Sequence, residues 1–128
     1  MTLLMDTHVF LWWVTDQPGV SQTAHDAITN PGNRLLLSAA SGWEIAIKSA
    51  LGRLELPASP SKFVPDQMQR NDFEVLPVSM YHALEVHALP AHHRDPFDRL
   101  LIAQSRSEGT PLISGDRALA AYDVDVVW

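Results

Sequence analysis

Four acidic residues carry the chemistry this sequence suggests: Asp6, Glu44, Asp98 and Asp116. They stand in four separated segments, "LLMDTHVFLWW", "SAASGWEIAIKSALGRLEL", "HHRDPFDRLLIAQS" and "PLISGDRAL". Carboxylates brought together repel, by roughly 3 kcal/mol for two about 5 Å apart at an effective dielectric near 20. A cluster of four therefore takes up protons or holds a cation. All-oxygen donors suit Mg2+ or Mn2+ rather than zinc. A divalent ion so held can activate water and offset charge on a scissile phosphodiester.

Each acid also has a plain structural reading. Asp95, Pro96 and Asp98 fit a helix start, with Asp95 as N-cap, Pro96 at the first position and Asp98 at the third. Asp98 there is favoured by the helix dipole, at about 0.3–1 kcal/mol. Asp116 can cap "RALAAY", and Asp6 can cap "HVFLWW". Glu44 can pair with Lys48 at i, i+4, for about 0.3–0.5 kcal/mol. Taken one at a time the two readings are balanced; the joint placement of the acids favours a site.

That placement depends on the elements between them. "TLLM", "RLLLS", "FEVLPV", "TPLIS" and "VDVVW" read as short strands. "SQTAHDAITN" and "SMYHALEVHAL" read as helices with Ser caps, "THVFLWWVTD" as a short helix ended near "QPG", and "DPFDRLLIAQSRSEG" as a helix with a Gly stop. The segment from Ser38 also reads as a helix, with Trp43, Ile47 and Leu51 on one face and Gly52 as its stop, and "SPSKFVPDQMQRN" as one containing Pro65. "GDRALAAY" reads as a short helix.

Strands alternating with helices predict a parallel sheet covered on both faces, with right-handed crossovers. Ligands in such sheets sit outside the carboxyl ends of the strands. Asp6 follows the first strand directly, and Asp116 follows the fourth after Gly115. Glu44 and Asp98 lie in the first turns of helices, which begin at the rim where strands end. All four acids are thus expected at one rim.

With 128 residues and no repeats, a single domain over 1–128 is expected. A 46% hydrophobic and 19% charged composition is that of an ordinary globular chain. Without cysteine there are no disulfides and no thiolate metal sites, and a cytoplasmic setting is expected. The apolar start lacks a basic leader region, and no run of about 18 apolar residues occurs, so no membrane span is expected. The net charge of −6 speaks against nucleic acid. Setting the four acids aside leaves eleven against nine Lys and Arg, a nearly balanced surface.

Other chemistries find less support. His92 and His93 are adjacent, which rarely lets two rings face one zinc. No G-x-S-x-G elbow, P-loop or G-x-G-x-x-G motif is present. Trp12, Trp13 and Trp43 read as core or dimer-interface residues rather than base-stacking platforms, which would need exposure. Thr7 and Ser114 flank the acids and could hold carboxylates or cap backbone. Lys48, Arg94, Arg99 and Arg117 could meet phosphates or pair with the acids.

With these acids in place, the chain resembles PIN domains, and among them the VapC-type toxin ribonucleases of toxin–antitoxin pairs. The likeness runs over nearly the whole chain through the four segments quoted above, which are specific together and in that order. It implies a three-layer α/β/α sandwich with a five-stranded parallel sheet. It also implies that Asp6, Glu44, Asp98 and Asp116 are the catalytic and metal-holding acids, with Asp95 a cap or a supporting group. The implied activity is a Mg2+- or Mn2+-dependent endoribonuclease on structured RNA, leaving a 5′-phosphate and a 3′-hydroxyl. The implied partners are a cognate antitoxin and a second copy in a homodimer. Two rivals stand beside this: a non-catalytic PIN-like module that binds RNA or a partner, and a haloacid-dehalogenase-type phosphatase. The phosphatase class wants a second aspartate two residues after the first, where this chain has His8.

Overall fold

The computed structural model describes residues 1–92 and 95–128. His93 and Arg94, considered above for zinc and for phosphate, lie outside the described residues.

Five strands form one sheet: β1 (Thr2–Met5), β2 (Arg34–Ser38), β3 (Phe73–Leu76), β4 (Leu112–Ile113) and β5 (Val126–Val127). Their order is β3-β2-β1-β4-β5, with every pairing parallel. β1 is central, and Leu4 is in register with Leu36 on one side and Leu112 on the other. The helices are α1 (Thr7–Val14), α2 (Gln22–Thr29), α3 (Ala39–Ala50), α4 (Pro60–Asn71), α5 (Met80–Glu85) and α6 (Pro96–Glu108), with 3-10 turns at Val86–Ala88 and Arg117–Ala121.

Strand side chains alternate between faces, and here both faces are covered. Leu3, Met5, Leu35, Leu37 and Ile113 pack with Val9, Phe10, Ala24, Ile28, Ile45 and Met68 of α1 to α4. Leu4, Leu36 and Leu112 pack with Leu101, Ile102 and Ala103 of α6, and with Leu89, Leu119 and Tyr122. This is the expected three-layer α/β/α sandwich, and its near-continuous apolar strands follow from burial on both sides.

Where sequence and structure differ, local chemistry supplies the reason. β3 stops at Leu76 because Pro77 has no N–H to give a ladder. Helix α4 continues through Pro65. The face of α3 is rotated from the expected one: Ala40, Ser41, Glu44 and Ile45 are buried, while Trp43 and Leu51 are exposed. A buried carboxylate runs against the apolar-stripe rule used to read that helix. Helix α5 also turns apolar residues outward, with Met80, Tyr81 and Leu84 exposed. Its buried anchor is His82 instead, whose Nε2 lies 2.8 Å from Glu108 Oε1. Among the described residues, no helix is long and apolar enough to cross a membrane.

Two buried polar ties set the start of α3. Ser38 is its N-cap, accepting from Ala40 N at 3.0 Å while donating to Gln104 Oε1 at 2.5 Å. Gln104, fully buried on α6, donates in turn to Pro77 O at 3.1 Å. On the other side, Thr7 Oγ1 donates to Ser41 Oγ at 2.8 Å, joining the first turns of α1 and α3.

Candidate active site

Asp6 ends the central strand and caps α1, its Oδ1 accepting from His8 N at 3.1 Å. Its Oδ2 accepts from Ser114 Oγ at 2.6 Å, and the same hydroxyl accepts from Asp116 N at 3.1 Å. Ser114 therefore joins two of the four acids through one oxygen. Asp116 caps the 3-10 turn after β4 through Ala118 N, at 2.9 Å. Asp6 and Asp116 share a hollow of about 260 Å³ with His8, Val9, Trp12 and Gly115.

Asp6 is almost wholly buried. Burial pushes its carboxyl up, but the His8 ring, the Ser114 hydroxyl and the His8 N–H outweigh that, and it stands below the usual carboxylate range. The His8 ring nitrogen Nδ1 lies 3.6 Å from Asp6 Oδ1. That carboxylate raises the imidazole above its ordinary value against a smaller opposing effect of burial, with a further contribution from Glu44.

Glu44 is 1% exposed. Its Oε2 accepts from Lys48 Nζ at 2.5 Å, and among the described residues Oε1 has no hydrogen-bond partner. Glu44 and Lys48 line a second hollow, of about 250 Å³, with Thr7, His8, Trp12 and Arg53. His8 and Trp12 thus border both hollows and join them.

Asp95 caps α6, its Oδ1 accepting from Phe97 N at 2.9 Å and Asp98 N at 3.3 Å, as the sequence predicts. Asp98 lies in the first turn of that helix. Lys48 sits in the field of acids from both helix starts. Its ammonium is raised first by Glu44, with burial opposing, and then by the charges of Asp95 and Asp98. Above the acids, the Trp43 and Phe97 rings meet edge to face, with centroids 5.4 Å apart.

The structure therefore links the acids in part: Asp6 joins Asp116 through Ser114, and Glu44 pairs with Lys48, whose ammonium also feels the charges of Asp95 and Asp98. Every plain structural role also holds, since Asp6, Asp95 and Asp116 are caps and Glu44 is paired. Among the described residues, no group of three or more His, Asp or Glu side chains is placed to hold a metal ion. The donors are nonetheless all oxygen, and a buried carboxylate oxygen without a partner is the kind of group a cation satisfies.

The other candidates sort differently. Thr7 ties helices together and touches no acid by hydrogen bond. Arg99 is committed to the backbone, donating to Pro90 O, Val86 O and Leu89 O, and to the Tyr122 hydroxyl. Arg117 is exposed. Trp12 and Trp13 are half-buried, and Trp13 Nε1 donates to Asn71 Oδ1 at 3.1 Å. Sequence reasoning missed two residues. It used His8 only to set aside a phosphatase, although its place two residues from Asp6 was the signal. It passed over Gln104, a lone amide in the apolar run "LLIAQS".

Comparison with known proteins agrees with this architecture. The model of the PIN domain family matches residues 3–125. Ribonuclease VapC22 of Mycobacterium tuberculosis is 28% identical over 122 residues, covering 94% of this chain and 92% of that protein. Ribonuclease VapC16 of the same organism is 47% identical over 55 residues, but this spans only 43% of this chain and 38% of that one. Among solved structures, VapBC2 from Rickettsia felis, bound to a DNA fragment from its promoter, superposes with a TM-score of 0.73 at 10% identity, over 98% and 97% of the two chains. The five parallel strands and the family-model match over nearly the full length place this chain in the PIN domain family, with VapC ribonucleases among its relatives.

Proposed function

We propose that this chain is a Mg2+- or Mn2+-dependent endoribonuclease, the toxin of a toxin–antitoxin pair, acting on structured RNA. The observation that carries the proposal is Glu44: a carboxylate buried inside a helix, with one oxygen unpartnered among the described residues, lining a hollow that shares His8 and Trp12 with the one holding Asp6 and Asp116. Fold stability gives no reason to bury that charge.

Asp6, Glu44 and Asp98 would hold the ion, with Asp116 completing or tuning the set. When bound, the ion supplies charge that activates water and offsets charge on the phosphate. Ser114 and the His8 N–H hold the two oxygens of Asp6 in a fixed orientation at the hollow. Lys48 keeps the Glu44 charge tolerable in the absence of the ion. By the family resemblance, water would attack the phosphorus with the 3′-oxygen as leaving group, which leaves a 5′-phosphate and a 3′-hydroxyl. RNA as substrate and a cytoplasmic location belong to the same reading.

An antitoxin partner is supported by the solved neighbours, which include VapBC2 and a toxin-antitoxin complex from Klebsiella pneumoniae. A homodimer has one observation behind it, the outward Met80, Tyr81 and Leu84 of α5.

The test incubates labelled structured RNA with the protein, with and without Mg2+ or Mn2+, beside Asp6→Asn and Glu44→Gln. Asn caps as well as Asp, so Asp6→Asn removes charge while keeping the helix start. Metal-dependent cutting that both variants lose supports the proposal. RNA bound but never cut points to the non-catalytic module, and phosphate released from small esters with RNA intact points to a phosphatase.

A further inference from the structure

The acids of α3 and α6 are each preceded by an aromatic residue, and the two aromatics touch. Trp43 stands before Glu44 and Phe97 before Asp98. Their edge-to-face contact holds the starts of the two helices at a fixed separation. Yet Trp43 is 62% exposed. An indole used only to pack two helices would be buried.

Gly42 adds an independent observation. It lies inside α3, where glycine is less favourable than alanine. Its backbone has no left-handed φ, and a Cβ built there would meet nothing within 4 Å. The fold makes no use of the missing side chain. Such a glycine suits close approach of something from outside.

We propose that Gly42 and Trp43 form the seat of an unpaired RNA base next to the scissile phosphodiester, with the base stacked on the indole and Phe97 bracing it. This rests on the ribonuclease reading and names the subsite that positions its substrate. Neighbouring residues on a helix point about 100° apart, so Glu44 turns inward to the rim while Trp43 faces out beside it. That is the relation a nucleotide needs when its phosphate meets the acids and its base swings clear. RNA with unstacked loop bases offers such a group, and stacking on an aromatic tolerates any base.

The test measures binding of a fluorescein-labelled single-stranded RNA of about 12 nucleotides in the presence of Mg2+. The Asp6→Asn protein is used so that RNA stays uncut, with Trp43→Ala, Trp43→Phe and Gly42→Leu each added to it. Trp43→Ala should weaken binding about tenfold, the scale of one lost stacking contact. Trp43→Phe should keep affinity within about threefold but lose the quenching of indole emission seen on binding. Gly42→Leu should weaken binding while the melting temperature holds or rises. An abasic strand of the same length should bind weakly and be indifferent to Trp43→Ala.

Affinities unchanged by Trp43→Ala or Gly42→Leu overturn the proposal. So does a loss equal on normal and abasic strands, which marks Trp43 as a helix brace. A change confined to self-association or to binding of a protein partner overturns it too. If the protein with Trp43 and Gly42 intact neither binds nor cuts RNA, the ribonuclease reading falls with it, whereas wild-type cutting with an indifferent Trp43 removes the base seat alone.

Discussion

Lys48 holds its ammonium 2.5 Å from Glu44 Oε2, one helical turn away, while among the described residues the other oxygen of that carboxylate has no partner. Lysine thus supplies a cation to Glu44, and a divalent ion would compete with it there. Lys48→Met should therefore destabilise the metal-free protein by about 2 kcal/mol, the scale for a buried charge losing its partner at a site open on one side. The rise in melting temperature on adding Mn2+ should be larger in Lys48→Met than in wild type, because no ammonium must be displaced. Thermal melts with chelator and with millimolar Mn2+ check both statements; an equal or smaller metal response in the variant counts against competition.

Ser114→Ala removes the donor to Asp6 Oδ2 and the acceptor of Asp116 N in one change. The expected cost is about 1–3 kcal/mol by urea denaturation, since buried polar groups lose their partners. RNA cutting should fall by about 10–100-fold, as for other groups that orient metal-holding residues. Ser114→Thr, which keeps the hydroxyl, should recover most of both.

The stability of metal-free protein should depend on pH at two ends. Asp6 is held below its ordinary value when folded, so its contribution is present above about pH 3.9 and is lost as pH falls through the lower folded value. His8 is held above its ordinary value, so its contribution is full below about pH 6.5 and is lost as pH rises through the folded value. Melting temperature measured in chelator should slip on the alkaline side, and that slip should vanish in His8→Gln. The slip will be small, because the His8 side chain is more than half exposed.

Gln104→Leu should destabilise by about 2–3 kcal/mol, leaving Ser38 Oγ and Pro77 O without their shared amide. Leucine fills much the same volume, so the loss reads polar satisfaction rather than a cavity. Because Ser38 caps α3, the variant should also loosen that helix, seen as faster amide exchange in its first turn.

What was legible in the sequence was what is local. The Asp95-Pro96-x-Asp98 start of α6 and the Ser caps of α2 and α5 follow from side chains that satisfy their own helix, and they stand as expected. The strands β1 and β2 were legible to the residue, because apolar runs bounded by turns carry their own ends. The buried face of α3 was not legible. Trp43, Ile47 and Leu51 form a regular stripe, but the helix is turned to bury Glu44, and the tie of Ser41 to Thr7, 34 residues away in sequence, holds that face inward. That Ser114 could hold a carboxylate was legible, but which acids it joins was not, since its bond to Asp6 spans 108 residues of chain.

The three caps of this rim set a rule for judging its descendants. Asp6, Asp95 and Asp116 each begin a helix or turn, so a lineage that gave up cleavage would still be penalised for replacing them by anything but another capping residue. Their persistence says little about whether a given copy still cuts. Glu44 starts no helix and is buried at the wall of a hollow, where leucine or methionine would leave the fold intact once the work was abandoned. Drift at that one address, more than at the others, would mark a silenced copy.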